Sequence, residues 1–497
     1  MKDLQKIKFI FIREKIMNKK TFIWLTGIVL FAIILRLTFF SGIGASDDLT
    51  YTRYAYEASQ NSYSFPANHH GTRLGLIYPV GFLYNMFGVN EFSSNIFVFL
   101  VSIAGIVLLF YFGKIFFNEK VGLTAAFLLS FFPLDVVFAT KLLSDFPSAF
   151  FLGLSVFFFL LGEKSLDKIK ARLSYLLSGI SIGIAYTIRE TTLLLLLFFL
   201  AYVIFYKKIK VNYGLIFIGF VIIFAIETGV FYLNTGDLLY RSHSHSAAYE
   251  SVLENAGPFR GTFPSSLFHY PYILLTGNNL GFFYIFVFLV SIYFVVMKRK
   301  QTYPFMLWLW ILLSYLSFGT SSLTQYVPFP GAARYLAIVT IPALLLLAVF
   351  LTEKELIIKK VFMPSILALL FISSLGFLYL GKGDNVGSLK DIQPYIAQLD
   401  KPVYTDGRSK SVLEYSFQYE PKVILKAFSI REGGGAEAIN LSGIKDAYII
   451  INKELIQGVM DAHKFISYDV PEEVYNPPEN WKIIKEINKE IILYYVS

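Results

Sequence analysis

The sequence has no cysteine among its 497 residues. Disulfide bonds, thiolate metal sites and cysteine nucleophiles are therefore excluded. Charged residues are also scarce, at 16%, whereas hydrophobic residues make up 55% of the chain and aromatic residues 18%. The mean hydropathy is +0.57, which is far more apolar than one soluble core can bury. The composition indicates an integral membrane protein.

Apolar segments long enough to cross a bilayer recur up to residue 380 and then cease. About 20 apolar residues in a helix span the hydrocarbon core. The first segment follows basic residues, but it is too long for a signal-peptide core, so we expect it to remain as an anchor. The pattern predicts eleven spans, near 21–40, 92–113, 121–139, 144–162, 173–188, 191–206, 212–233, 279–297, 303–319, 333–352 and 361–380.

The net charge of +9 is concentrated in every second connection between these spans, as in "KKIK" at 207–210 and "KRK" at 298–300. Basic loops face the cytoplasm, so the charge orients the chain in a membrane and no nucleic-acid partner is predicted. The other connections, including the long loops 41–91 and 234–278, are then exterior. We expect the plasma membrane of a prokaryote, with a cytoplasmic N-terminus.

The predicted domains are a cytoplasmic basic segment at 1–20, a transmembrane domain at 21–380 and an exterior soluble domain at 381–497. The last segment alternates strand-like runs such as "KPVYTD" at 401–406 with helical runs. Strands that alternate with helices predict a small α/β domain with a largely parallel sheet. The glycine-rich "REGGGAE" at 431–437 lacks the spacing of a nucleotide-binding motif and is interpreted as a loop.

Several ionisable side chains fall at span ends, where charge is costly, and all of them fall on the predicted exterior side. Random placement would distribute them over both sides. Carboxylates and guanidinium groups at one level of the membrane predict a site that holds an anion and accepts a proton. The residues are Asp47, Asp48, Asp145, Arg189, Glu190 and Arg334.

Other charged residues have plainer interpretations. For Glu227, inside a span, a buried hydrogen bond or ion pair is favoured over chemistry. For Asp135 and Lys141, snorkelling to the interface is favoured. His243 and His245 could hold a metal from a strand, but no adjacent carboxylate completes a ligand set. With Arg241 and Glu190, they are better interpreted as residues of a substrate-contacting loop.

Five motifs in order resemble the GT-C class of membrane glycosyltransferases. They are similar in particular to the branch that holds the protein O-mannosyltransferases (glycosyltransferase family 39) and the aminoarabinose transferase that modifies lipid A. The resemblance covers about residues 20–350. The motifs are "SDDLTYTRYAYEAS", "GTRLGLIYPVGFLYNMFGVNEFSSN", Asp145-Phe-Pro147, "YTIRE" and "ARYLAIVTIPALLLL".

Two positions depart from the pattern of that branch. The acidic pair Asp47-Asp48 stands where the mannosyltransferases commonly have Asp-Glu, and their usual Lys-Pro appears here as Arg73-Leu-Gly.

The resemblance implies a GT-C fold of about eleven transmembrane helices with a C-terminal exterior α/β domain. It also implies inverting transfer of a sugar from a dolichyl or undecaprenyl phosphate to an acceptor hydroxyl outside the membrane.

The site residues follow from the same resemblance. Asp47 matches the first acid of the pair and would be the general base, which takes the proton of the acceptor hydroxyl. Asp48 would orient the site or the acceptor. Asp145 matches the second acid of the family and would position the acceptor or keep Asp47 correctly protonated.

Cationic residues would stabilise the departing lipid phosphate, so a general acid is not required. Arg73 and Arg189 match donor-phosphate positions of the family, and Arg334 and Tyr335 match its late Arg-Tyr pair. The predicted partners are the polyprenyl-phosphate sugar, an acceptor protein, glycan or lipid, and membrane lipids. No cofactor is predicted, and a divalent ion at the aspartates is left open.

Two hypotheses from other functional classes compete with the transferase hypothesis. A transporter or flippase of a lipid-linked sugar would use similar charges, but it would place broken polar segments near the midplane of two repeated halves. No such repeat is visible. A receptor whose exterior domain does the binding would not need eleven spans.

Overall fold

The structure is a computed structural model and describes residues 17–246, 264–276, 280–320, 326–353, 359–380, 387–428, 430, 441–462 and 470–497. Its larger part, up to residue 380, is helical. The helices of this part are α1 Lys19–Thr38, α2 Asp47–Ser59, α3 Leu74–Phe87, α4 Glu91–Phe116, α5 Glu119–Ser130, α6 Pro133–Phe138, α7 Asp145–Lys164, α8 Lys168–Ile188, α9 Leu195–Tyr206, α10 Gly214–Thr235, α11 His269–Thr276, α12 Phe283–Val296, α13 Tyr303–Phe318, α14 Ala337–Thr352 and α15 Lys359–Leu380.

Helices in the described ranges are numerous and apolar enough for a multi-pass membrane protein. Seven have the length and composition to cross a bilayer: Lys19–Thr38, Glu91–Phe116, Asp145–Lys164, Lys168–Ile188, Val211–Thr235, Ala333–Thr352 and Met363–Leu380. The other four predicted spans are shorter or interrupted helices. One of them breaks between α5 and α6, just before Pro133, which cannot continue the hydrogen bonding of the preceding helix.

The helices α8 and α10 pack with their backbones in direct contact. A Cβ atom at Gly179 of α8 would lie 2.0 Å from the carbonyl oxygen of Ile216, and one at Gly219 of α10 would lie 2.4 Å from that of Leu176. Small residues allow this approach, and van der Waals contact between helices replaces the hydrophobic effect inside a bilayer. The contact fixes the position of α8 relative to α10, and Arg189 follows the C-terminal end of α8.

Gly179→Ala is expected to destabilise the fold by about 2 kcal/mol, because the added methyl group forces α8 and α10 apart. The matched control is Gly229→Ala in α10, since a Cβ atom there meets nothing within 4 Å. Thermal unfolding of both variants in detergent would measure the difference. Equal midpoints for the two variants would contradict the proposed backbone contact.

A buried ion pair joins α1 to α6. Arg36 is fully buried, and its Nη2 lies 2.5 Å from Oδ1 of Asp135. Its Nε also donates to Ser102 of α4 at 2.9 Å, and its Nη1 to the carbonyl of Ser130 at 3.0 Å. The predicted snorkelling of Asp135 is therefore wrong: the side chain turns inward because a cation is available there, and a buried charge needs such a partner.

The C-terminal part is a small α/β domain. Its elements are α16 Gly387–Ile396, β1 Val403–Asp406, α17 Gly407–Ser416, β2 Leu425–Phe428, β3 Ala447–Asn452, α18 Lys453–Ala462, β4 Lys482–Asn488 and β5 Ile491–Val496. The strand order is β2-β1-β3-β5-β4. Strand β1 is parallel to β2 and β3, whereas β5 is antiparallel to β3 and β4. The largely parallel sheet of the prediction is thus half correct, because the short β4–β5 connection permits only a hairpin.

This domain packs against the first outer loop. The hydroxyl of Tyr419, just after α17, lies 2.7 Å from Oγ1 of Thr52 in α2, and its ring stacks on Tyr56 at 5.1 Å. Tyr415 of α17 contacts Ser94 of α4 with its hydroxyl at 2.9 Å. The α/β domain therefore holds α2, the helix that begins at Asp47.

Candidate active site

Four segments bring opposite charges together at one end of the helical part. Oδ1 of Asp145, at the start of α7, lies 2.6 Å from Nη1 of Arg189, which follows α8. Oδ2 of Asp145 lies 4.0 Å from Nε of Arg334, just before α14. Nη2 of Arg334 in turn lies 3.1 Å from Oδ2 of Asp47 at the start of α2. The order Asp47, Arg334, Asp145, Arg189 is a chain of alternating charges, called the charge chain below.

Asp47 is the most accessible acid of the charge chain, with 29% of its side chain exposed. Its second partner is the ring of His70, whose Nε2 lies 3.6 Å from Oδ1. Burial raises the pKa of Asp47, but the hydrogen bond from His70 and the charge of Arg334 lower it by more, so the net pKa is well below its usual range. Asp47 is therefore an ionised carboxylate that a ligand can reach.

Asp48 faces away from the charge chain and is only 3% exposed. Its Oδ1 accepts the backbone N–H groups of Ser46 and Leu49, both at 3.0 Å, and its Oδ2 accepts that of Gly44. Burial raises its pKa to about 6, although these backbone donors oppose the shift. The three aspartates predicted as catalytic are thus not brought together: Asp48 closes the turn before α2.

The raised pKa of Asp48 predicts a pH-dependent contribution to stability. The folded state binds this proton more tightly than the unfolded state, so the contribution is present below the ordinary pKa of 3.8 and is lost as the pH rises through about 6. For two pKa units the loss is about 3 kcal/mol. Asp48→Asn removes the dependence, which thermal unfolding between pH 4 and pH 7 would measure against the wild type.

The exposed Asp400 offers the control, as Asp400→Asn. The expected result is a difference between wild type and Asp48→Asn that changes across this pH range, and a difference between wild type and Asp400→Asn that does not. A stability difference for Asp48→Asn that is constant with pH would disprove the assignment.

Arg73 lies beside the charge chain and is buried. Its Nη1 donates to the hydroxyl of Tyr51 and to Oγ of Ser144, the latter at 3.0 Å, and its Nη2 lies 3.4 Å from Glu190. Arg189 also donates to Oγ of Ser144, at 3.3 Å. One hydroxyl therefore sits between two guanidinium groups, which concentrates positive charge at this point.

Polar atoms without partners lie at the same place. In the described part of the chain, Nε of Arg73 and Oδ2 of Asp145 are buried and make no hydrogen bond. Buried polar atoms are normally satisfied, so unsatisfied ones in a cluster indicate a place for a ligand. The guanidinium of Arg189 lies 4.5 Å from the ring centre of Tyr335, which holds it in place by a cation–π contact.

Arg241 lies on the far side of Glu190. Its Nη1 lies 2.5 Å from Oε1 of Glu227 in α10, its Nη2 donates to the carbonyl of Tyr186 at 2.7 Å, and Glu190 is 3.8 Å away. The buried ion pair predicted for Glu227 is confirmed. Arg241 therefore anchors its loop to the helices, and Glu190 lies between it and Arg73.

Breaking this ion pair from one side is expected to destabilise the fold. Arg241→Met leaves the Glu227 carboxyl group without its partner among apolar helices, at a cost of about 3 kcal/mol. The double variant Glu227→Gln/Arg241→Met removes both charges and should recover most of that loss in thermal unfolding. An Arg241→Met protein as stable as the wild type would contradict the pairing.

The two histidines of the second loop have different surroundings. Nε2 of His245 lies 3.2 Å from Oγ1 of Thr72, next to Arg73, whereas His243 is 64% exposed and pairs with Asp237 at 2.7 Å. Burial lowers the pKa of His245, which favours the neutral ring. The structure thus places His245 beside the site and His243 outside it.

No shared metal site forms from these residues. In the ranges that the structure describes, no group of three or more His, Asp or Glu side chains could hold a metal ion. The sequence reasoning missed Tyr51, Ser144 and the role of His70. Two signals were available: Tyr51 lies one helical turn after Asp47, and Ser144 directly precedes Asp145.

Comparisons with known proteins identify the fold. The family model described as dolichyl-phosphate-mannose-protein mannosyltransferase matches residues 75–231. No curated protein matches the sequence. The structure of ArnT from Cupriavidus metallidurans superposes with a TM-score of 0.64 at 12% identity, covering 95% of this chain and 97% of that one. The chain has the GT-C fold.

A second relative of the GT-C fold is larger. The oligosaccharyltransferase AglB from Archaeoglobus fulgidus, solved with an inhibitory peptide and a dolichol-phosphate, matches with a TM-score of 0.58 at 11% identity. The match covers 96% of this chain and 74% of AglB. ArnT has also been solved bound to undecaprenyl phosphate, with the same similarity to this chain. The predicted resemblance to the GT-C class and to the aminoarabinose transferase branch is confirmed.

Proposed function

We propose that the chain is an inverting glycosyltransferase that moves a sugar from a polyprenyl phosphate to an acceptor hydroxyl. The observation that carries the proposal is the charge chain: a reachable, ionised carboxylate, Asp47, lies beside cations that can hold a phosphate. The GT-C fold supports it, as does the polyprenyl phosphate bound to the similar proteins ArnT and AglB.

In the proposed reaction, Asp47 takes the proton of the acceptor hydroxyl while its oxygen attacks the anomeric carbon. The bond from that carbon to the phosphate oxygen breaks on the opposite face, and the lipid phosphate leaves with the electron pair. Arg73, Arg189 and Arg334 stabilise the charge that develops on the phosphate.

The pairing of Asp47 with Arg334 suggests how the base is activated. In the free protein the hydrogen bond from His70 and the charge of Arg334 hold the pKa of Asp47 low, which makes the carboxylate a weak base. A bound phosphate competes for the same guanidinium group. As Arg334 turns toward the phosphate, the pKa of Asp47 rises, so that donor binding itself would strengthen the base.

An apolar groove of about 390 Å³ offers a path for the polyprenyl chain. It lies between α11, α12 and α13 and includes Leu274, Phe288, Leu313 and Ser317. Leu316, next to Ser317, lines the small cavity that contains Asp145, Arg189 and Arg334. A lipid in this groove would therefore carry its phosphate toward the charge chain.

We also propose that the charge chain faces the exterior of a prokaryotic plasma membrane. The basic connections, such as the residues after α7 and after α9, lie at the other ends of the helices. By the positive-inside rule that end is cytoplasmic, so the α/β domain and the acceptor would be outside.

The proposal is tested by sugar transfer with purified protein, a polyprenyl-phosphate sugar and candidate acceptors. Asp47→Asn is expected to lower the rate about 100-fold to 10,000-fold, the usual contribution of a general base. Asp237→Asn changes an acid that pairs with the exposed His243 and accepts the N–H of Leu239; it serves as the control and should keep its rate.

Two outcomes would count against the proposal. A folded Asp47→Asn protein with full activity would overturn the assignment of the base. A wild-type protein that binds no polyprenyl-phosphate sugar in a direct binding measurement would overturn the transferase function itself.

A further inference from the structure

A second groove opens at the opposite end of the transmembrane helices. It lies between α4, α7 and α8 and encloses about 680 Å³, which is within the range of ligand-binding cavities. Its walls are mainly apolar and aromatic. The lining residues include Ala104, Tyr111, Phe150, Leu154 and Phe158. We call it the α4–α7–α8 groove.

The α4–α7–α8 groove is long and ends in basic residues. It runs along α7 from Phe150 to Lys164, which is roughly 21 Å of helix. This exceeds the depth of one leaflet, since the whole hydrocarbon core is about 30 Å thick. At the end of the groove, Lys164, Ser165 and Lys170 replace the apolar lining.

The positive charge at this end is available to a ligand. Lys164 is exposed, and Lys170 is half-buried. Nζ of Lys164 donates to the carbonyl of Ile115 and lies 5.7 Å from the ring centre of Phe116, and neither of these groups carries a negative charge. The neighbouring carboxylate, Glu163, is already engaged: it accepts the hydroxyls of Tyr175 and Tyr213 at 2.6 and 2.8 Å and pairs with Lys210 at 2.9 Å. The acid of the α7–α8 loop, Asp167, caps α8 through the N–H groups of Ile169 and Lys170.

The basic end of the groove is remote from the charge chain. Helix α7 begins at Asp145 and ends at Lys164, so the two ends are roughly 28 Å apart along the helix. A lipid whose charged group lies at Lys164 therefore cannot present it to Asp145 and Arg189. The occupant belongs to the other leaflet and is not the sugar donor.

We propose that the α4–α7–α8 groove binds an anionic phospholipid, with the phosphate at Lys164 and Lys170 and an acyl chain along the aromatic wall. Basic pockets between transmembrane helices are typical sites for anionic headgroups, and an apolar channel of this length suits an acyl chain. The lipid would join α4 and α8 to α7, the helix that carries Asp145 at its other end.

Native mass spectrometry and binding to the purified full chain test the proposal, with phosphatidylglycerol as the anionic probe and phosphatidylcholine as the zwitterionic one. The variant Lys164→Gln/Lys170→Gln should weaken phosphatidylglycerol binding about 30-fold, from the usual contribution of two lysines near a charged lipid. The control Lys168→Gln/Arg172→Gln removes two exposed charges from the same region outside the groove and should change binding less than about twofold.

A second variant tests the apolar part of the groove separately from the lysines at its end. Ala104→Trp fills the apolar channel without altering any charge and should also weaken phosphatidylglycerol binding by about tenfold, because it displaces the acyl chain. The proposal is overturned if phosphatidylcholine binds as tightly as phosphatidylglycerol. It is also overturned if the control variant loses as much affinity as Lys164→Gln/Lys170→Gln, or if Ala104→Trp binds like the wild type.

Discussion

The ion pairs that link Asp47, Arg334, Asp145 and Arg189 govern the arrangement of the site. Each of these residues is at or next to the end of a different helix, so the pairs hold four helix ends at fixed separations. Charge at a membrane boundary is costly unless it is matched, and here each carboxylate meets a cation. The positions of these helix ends and of the outer loop depend on this match, and so does the proposed binding of a phosphate.

Much of this site can be predicted from the sequence, because the alternation of basic loops places all of its charges on one side. The pairing cannot. Asp47 and Asp48 are adjacent and chemically identical, yet one meets Arg334 and the other meets backbone N–H groups. Their directions differ by the 100° turn between neighbouring helical residues, which places them in different surroundings that only the three-dimensional fold defines.

The fold, like the site, has features that the sequence predicts and features that it does not. Each of the eleven predicted spans contains a helix, whereas contacts between distant segments could not be predicted from apolar length. Arg36 and Asp135 are 99 residues apart and meet inside the helical part, which turned Asp135 away from the interface where the pattern had placed it. In the sheet, the alternation of strands and helices was recognised, but the final β4–β5 hairpin was not, although its two-residue connection Lys489-Glu490 is too short for a parallel pair.

The contact between Tyr419 and Thr52 joins residues 367 positions apart. Helix α2 is therefore synthesised long before the segment that packs against it. During synthesis, α2 lacks this contact until the α/β domain has folded against it. A polypeptide interrupted before residue 419 would therefore keep the helix that begins at Asp47 but lose the tyrosine that packs on it.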